Sequence, residues 1–402
     1  MKYMILVGDG MGDYPLAELG EKTPLHAART PHMDWVADHG EMGVAKTIPE
    51  GCETGSDTAN LSLLGYDPKA AQTRRAPLEA ASLGVNLGPQ DVAFRCNLVT
   101  LSQGPGGMMM DDYSAGHITT PEARKLIEDI DKALGNDTVR FYPGVSYRHL
   151  MVWHGGTPDV ETTPPHDITG QAVQPYLDQM AAQGLLLDLM DRARPLLRDH
   201  PVNQGRLKQG QKPATDIWFW GQGHAPELES FKNKTGLDGA IISAVDLLRG
   251  IGVYIGLKVI KVPGATGYFD TDYEAKAHHA LSALKDADVV YVHVEAPDEA
   301  GHAGLMDEKV RAIEAFDEKV VGTVLHGMKD LGPHRIMVTT DHFTPLSVRT
   351  HTTEPVPFAM CGAGIPEPSD SSQGFSEQAA AAQGLSLAQG FRLMERFLRL
   401  GK

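Results

Sequence analysis

The sequence predicts an α/β fold, a mainly parallel sheet flanked by helices, with a smaller α+β cap domain inserted into it. Three observations carry this reading. Short apolar runs rich in β-branched residues recur and end at polar or glycine turns. Helical patterns lie between them, and strand–helix alternation favours a parallel sheet. The middle third breaks the pattern, being rich in Pro, Gly and Gln. At 402 residues the chain suits two to three domains by the soft length prior.

Residues 3–7, 93–101, 289–294 and 335–339 read as buried strands, because their hydrophobicity is nearly continuous, as in strands covered on both faces. Thr120-Pro121-Glu122 opens a helix, with a capping Thr and Pro at the first helical position. From about Gly104 to Gly236 loops dominate, including Gly104-Pro105-Gly106-Gly107 and residues 204–213. An amphipathic pattern resumes at Ile241-Ile242-Ser243-Ala244-Val245-Asp246-Leu247-Leu248. Residues 307–331 read as a helix with Val310, Ile313, Phe316, Val320 and Val324 at three- and four-residue spacing. The expected division is a discontinuous core, 1–90 plus 236–402, and an inserted cap, 91–235.

Composition removes several function classes. Lys+Arg total 36 against 52 Asp+Glu, a formal charge of −16, which argues against nucleic-acid or anionic-membrane partners. Cys52, Cys96 and Cys361 are far apart, so neither a disulfide framework nor a zinc knuckle is expected. The apolar start is too short for a signal peptide, and no stretch approaches a membrane span. A cytoplasmic protein acting on a small substrate is the expectation, with oligomeric state undetermined.

Open α/β sheets bind ligands beyond the carboxyl ends of their strands. Polar residues stand at four such places. Asp9 follows residues 3–7, Asp298 and His302 follow residues 289–294 at i, i+4 spacing, Asp341-His342 ends residues 335–340, and His351 lies just beyond. Each alone reads as an ordinary turn residue. Together, three carboxylates and three imidazoles suit two divalent cations that accept oxygen and nitrogen donors, such as Mn²⁺ or Zn²⁺. Ser56, in Gly55-Ser56-Asp57-Thr58-Ala59-Asn60, is placed at or near a helix N-terminus. A plain capping serine is the bland alternative. Beside metal ligands, its hydroxyl becomes an activated nucleophile.

The order Asp, Ser, Asp-x-x-x-His, Asp-His, His resembles that of the alkaline phosphatase superfamily. Three stretches are similar to the archaeal-type 2,3-bisphosphoglycerate-independent phosphoglycerate mutases: Gly8-Asp9-Gly10-Met11-Gly12-Asp13, Gly55-Ser56-Asp57-Thr58-Ala59-Asn60-Leu61-Ser62-Leu63-Leu64-Gly65-Tyr66-Asp67-Pro68 and Thr350-His351-Thr352-Thr353-Glu354-Pro355-Val356-Pro357-Phe358. The resemblance spans the whole chain and implies an alkaline-phosphatase-like core. It implies that Ser56 is transiently phosphorylated, that Asp298, His302 and His351 hold one metal, and that Asp9, Asp341 and His342 hold the other with Ser56 facing it. The implied cofactors are two divalent metal ions, Mn²⁺ foremost, with Zn²⁺, Co²⁺ or Mg²⁺ as alternatives. The cap would keep the site closed and poor in water while the donor product reorients.

Two cap segments, Asp112-Tyr113-Ser114-Ala115-Gly116-His117 and Gly144-Val145-Ser146-Tyr147-Arg148-His149, also resemble the family. They nominate Asp112, His117 and Arg148 for substrate binding, with Arg148 forking onto an anionic group and His117 doing acid–base work. One stretch departs. Mutases of this family carry an arginine just before a glycine near the cap's end, whereas Trp220-Gly221 stands here. A branch of the family proposed to phosphorylate homoserine is similar in that stretch. The resemblance therefore implies interconversion of 3- and 2-phosphoglycerate first, and a homoserine kinase-like transferase or a phosphatase second. A metal-binding interaction module that has lost catalysis is the third reading, and the intact set of seven residues opposes it.

Overall fold

The computed structural model describes residues 1–181, 184–367 and 374–399. The chain forms two compact units, Met1–Gln72 with Glu227–Lys402, and Thr73–Pro226. The first is the core unit and the second the inserted unit. The crossings lie nearer the N-terminus than an expected 90 and 236. Helix Arg75–Ser82 accounts for the first difference: its Ala76 and Ala80 pack on Ala93 and Leu150 of the inserted unit's own sheet.

The core unit is built on an eight-stranded sheet. Its order is Ser386–Leu387, Gly40–Ala45, Val356–Gly362, His334–Thr339, Lys2–Gly8, Val289–Val294, Gly239–Ile242, Lys258–Val259. All neighbours run parallel except Val356–Gly362, which is antiparallel to both of its partners. The central strand Lys2–Gly8 carries Met4, Ile5, Leu6 and Val7 with no exposed surface, as a strand covered on both faces must. Helices close one face through Val36, Ala277, Ile313, Phe316 and Val324. The helix expected over 307–331 is Met306–Ala315 continuing through a π-helical stretch, Phe316–Val321, into Gly322–Met328.

The inserted unit has a five-stranded sheet paired throughout in antiparallel fashion. Its central strand, Val92–Gly104, pairs with Gly107–Asp112, Arg148–Trp153 and Asp216–Gly223. Continuous hydrophobicity over 93–101 thus reports burial on both faces, and here it does not report parallel pairing. Helices Thr120–Leu134 and Gly184–Asp199 cover one face. Thr119, one residue earlier than expected, is the N-cap of the first of these, and its N–H and hydroxyl both donate to Glu122 Oε2 in a capping box. Among the described residues no helix is long and apolar enough to cross a membrane.

Candidate metal centre and active site

Sheet register sets the site. Val7 lies beside His293 on one side and Thr339 on the other, all three strands parallel. Two residues past Val7 and Thr339 the chain leaves the sheet at Asp9 and Asp341, so both carboxylates stand at the carboxyl ends of adjacent strands. After Val289–Val294 the chain turns into helix Ala296–Ala303, whose first turn holds Asp298 and whose last holds His302. Gly10 allows this crowding. Its φ is 59°, and a Cβ there would fall 2.6 Å from Asp298 Oδ1 and 2.7 Å from Thr344 Oγ1.

The structure brings all six expected Asp and His residues together. His302 Nε2 lies 3.2 Å from Asp298 Oδ2 and 3.0 Å from His351 Nε2, and His351 Nε2 lies 3.6 Å from Asp298 Oδ1. His342 Nε2 lies 3.3 Å from Asp9 Oδ1 and 3.5 Å from Asp341 Oδ2. The His342 and His351 rings stand 4.1 Å apart between centroids and join the two groups.

Ser56 is the first residue of helix Ser56–Leu63, and Gly55 is the N-cap. The serine side chain is therefore not a capping group. Its Oγ lies 3.1 Å from His342 Nε2, aimed at the acidic cluster. One turn on, Asn60 donates to the Ser56 carbonyl at 2.8 Å and to Asp341 Oδ2 at 2.7 Å, tying the helix start to the cluster. Tyr291 holds Asn60 Oδ1.

Burial and like charge set the electrostatics. Burial raises Asp9 well above the usual carboxylate range, and the charges of Asp341 and Asp298 push it the same way. Burial also opposes charge on Asp298 and Asp341. His302 and His351 hold Asp298 low, while His342 and His293 hold Asp341 low. The Asp298 hydrogen bond lifts His302 to about 9. Burial keeps His342 below its ordinary value.

This donor set fits divalent cations. Buried Asp9 Oδ1 and His293 Nε2 have no hydrogen-bond partner, a costly state for polar atoms unless a ligand answers them. His302 directs Nδ1 at the Arg349 carbonyl, 3.0 Å away, which leaves its Nε2 lone pair facing Asp298 and His351. Two sets of three residues, Asp298 with His342 and His351 and Asp9 with His293 and Asp341, each offer ligand atoms within 4.8 Å of one another.

Three supporting residues escaped the sequence reading. His293 and Glu295 sit at the end of strand Val289–Val294, both buried. An ionisable residue inside a continuous apolar run was the available signal. Asn60 had one as well, four residues after Ser56 on one helix face. Buried Lys309 ties the loops together, donating to the carbonyls of Gly12 and Thr344 and to Asp13 Oδ2 at 2.8 Å. A separate cavity of about 480 Å³ lies near Tyr3, at the opposite, amino end of the central strand.

In the inserted unit Asp112 is joined to His117 through Ser114, whose Oγ accepts from the His117 amide at 3.1 Å. Asp112 Oδ1 accepts from Ser114 N at 2.8 Å and Oγ at 2.6 Å, an Asx-type turn that holds its charge low although burial opposes it. His117 and Arg148 are both exposed and converge on Tyr147, at 6.4 Å between rings and 5.8 Å from guanidinium to ring. Trp220, where an arginine was expected, lies under the Arg95 guanidinium at 4.4 Å. A cation thus reaches this place from a neighbouring strand.

Comparison with known proteins places the chain among relatives of one family. Residues 37–203 match the sequence profile of 2,3-bisphosphoglycerate-independent phosphoglycerate mutase. A Geobacter sulfurreducens protein named "Probable 2,3-bisphosphoglycerate-independent phosphoglycerate mutase" is 54% identical over 99% of this chain and 100% of its own. A Methanosarcina barkeri protein with the same name, unqualified, is 51% identical over 98% of each. The solved structure of a Pyrococcus horikoshii protein superposes with a TM-score of 0.84 at 30% identity, covering 100% of this chain and 98% of that one.

Proposed function

Since the chain belongs to the 2,3-bisphosphoglycerate-independent phosphoglycerate mutase family, we propose that it interconverts 3-phosphoglycerate and 2-phosphoglycerate through a phosphoserine at Ser56. The observation that carries this reading is the Ser56 hydroxyl, free of any capping role and 3.1 Å from His342 Nε2 at the edge of the acidic cluster. Asp298, His302 and His351 would hold one divalent cation, and Asp9, Asp341, His342 and Ser56 the other. When bound, such cations neutralise phosphoryl oxygens and lower the cost of a serine alkoxide. The mixture of carboxylate and imidazole suits Mn²⁺ first, then Zn²⁺ or Co²⁺.

The chain's own residues do the rest. Ser56 Oγ attacks phosphorus, the bond from phosphorus to the glycerate oxygen breaks, and the serine proton ends on the released hydroxyl. Glycerate then reorients, and its other hydroxyl takes the phosphoryl group back while Ser56 recovers a proton. Asn60 fixes the helix start and Asp341 together, so nucleophile and ligand keep one geometry through both transfers. Arg148 would grip an anionic group of the substrate, and His117 would exchange protons with it. Asp112 would shape the loop that presents His117.

A coupled assay tests the activity. Protein loaded with Mn²⁺ and given 3-phosphoglycerate should yield enolase-detectable 2-phosphoglycerate. Release of glycerate and inorganic phosphate instead would mean that water is the acceptor. Phosphohomoserine from homoserine and a phosphoryl donor, without mutase turnover, would identify the transferase of the second reading.

A further inference from the structure

The geometry points to His293 as an additional cation ligand, a second imidazole completing the site of Asp9 and Asp341, with Glu295 and Lys276 fixing its orientation. The inference deepens the proposed two-cation function and rests on it. His293 has no exposed surface, yet its Nε2 has no hydrogen-bond partner. That nitrogen lies 3.4 Å from Asp9 Oδ2 and 3.6 Å from Asp341 Oδ2. Charge-assisted hydrogen bonds are shorter, roughly 2.7–2.9 Å. Neighbouring donors around a cation with bonds near 2.1 Å stand roughly 3.0–3.5 Å apart. The spacing is that of a shared ligand sphere.

The other ring nitrogen explains why the lone pair points there. Nδ1 faces Glu295 Oε1 at 3.4 Å. Glu295 is itself fixed: its Oε1 accepts from Ser243 Oγ at 3.1 Å and the Ala244 amide at 2.6 Å, and its Oε2 pairs with Lys276. Lys276 is wholly buried and also donates to the His293 carbonyl at 3.0 Å. A carboxylate on Nδ1 keeps the proton there and leaves Nε2 as the donor atom for a metal. Lys276 and Glu295 are therefore positioning residues that act through His293. A second nitrogen also shifts the site's preference from Mg²⁺ towards Mn²⁺, Co²⁺ and Zn²⁺.

Metal titration of the full chain, stripped by chelator and followed by calorimetry and elemental analysis, separates this from a merely structural histidine. Wild type should bind two Mn²⁺. His293→Gln and His293→Ala should each weaken one site at least a hundredfold, leave the other within threefold, and narrow the Mn²⁺ over Mg²⁺ preference about tenfold. In Co²⁺-loaded protein one equivalent should change its visible absorption. Glu295→Gln with Lys276→Met, which leaves no lone buried charge, should weaken the same site by roughly ten- to a hundredfold. Near-ultraviolet circular dichroism of the metal-free variants checks the fold. Two unaltered sites in folded His293 variants, or no change in the double variant, would overturn the inference while the two-cation reading stands. Absence of divalent cation binding in wild type would instead overturn the proposed function itself.

Discussion

Both units bury opposite charges in pairs, as the core unit does with Lys309 and Asp13, but only the core unit also crowds like charges at one place. Among the described residues of the inserted unit each buried ion has an opposite partner. Arg95 is forked by Glu79, Asp216 is held by Arg194, and Arg206 pairs with Glu122 at 3.0 Å while donating to the Ala115 and Lys212 carbonyls. In the core unit Asp9, Asp298 and Asp341 crowd one another, and among them buried Asp9 Oδ1 and His293 Nε2 have no hydrogen-bond partner. Pairing of opposites holds an architecture together. Crowding of like charge costs stability and persists where a ligand of the other sign repays it. The charge pattern therefore marks the site.

The largest expected break in that comparison is chemical. Ser56→Ala should cut turnover at least ~10⁴-fold. It should leave unfolding free energy within about 0.5 kcal/mol, because Ser56 makes no capping bond. Activity assays paired with denaturant unfolding measure both, and a large stability loss would return Ser56 to a structural role.

Stability effects should then divide by unit. Glu79→Ala removes the carboxylate that forks the buried Arg95 guanidinium and should destabilise the inserted unit by about 3 kcal/mol in denaturant unfolding. Its Mn²⁺ stoichiometry should equal that of wild type. Asp216 is the inserted unit's partial exception, since burial lifts it to about 6 despite Arg194. The folded state then holds a proton that the unfolded state has lost between about pH 4 and pH 6. Stability from this group falls as pH rises through that window, by up to about 3 kcal/mol. Unfolding of Asp216→Asn across the same range should lack that fall.

Asp9→Asn is the smallest and most counter-intuitive. Asp9 is raised, so its ionised form costs stability above the ordinary carboxylate range. The metal-free variant should be more stable than wild type by ~1 kcal/mol at neutral pH, with a gain that grows as pH rises from about 4. Added Mn²⁺ should raise the unfolding temperature of wild type and do little for the variant. A destabilised metal-free variant would mean that Asp9 is structural.

Much of this was legible because the ligands are local signals. Asp9, Asp298, Asp341 and His342 each follow a strand by a few residues, and parallel pairing converges such positions; His302 follows one helical turn after Asp298, and His351 precedes the antiparallel strand Val356–Gly362. His293 was hidden because it lies within a strand, where an imidazole and a core position look alike until neighbouring register is known. The inserted unit read less clearly for a similar reason. Strand Val92–Gly104 is covered on both faces, so its hydrophobicity could not distinguish antiparallel from parallel neighbours. The boundary at Gln72 depends on where helix Arg75–Ser82 packs, which no local pattern records. Asp112 was nominated for substrate binding from its family-like segment, and the Ser114 contacts that fix its carboxylate in a turn are not legible there.

The most direct test of the central claim is a rapid quench of Mn²⁺-loaded protein with 3-phosphoglycerate, followed by mass spectrometry of its peptides. The account predicts phosphate on the peptide containing Ser56, formed within one turnover and absent from Ser56→Ala. An unmodified Ser56 peptide throughout turnover, with 2-phosphoglycerate still formed, would contradict it.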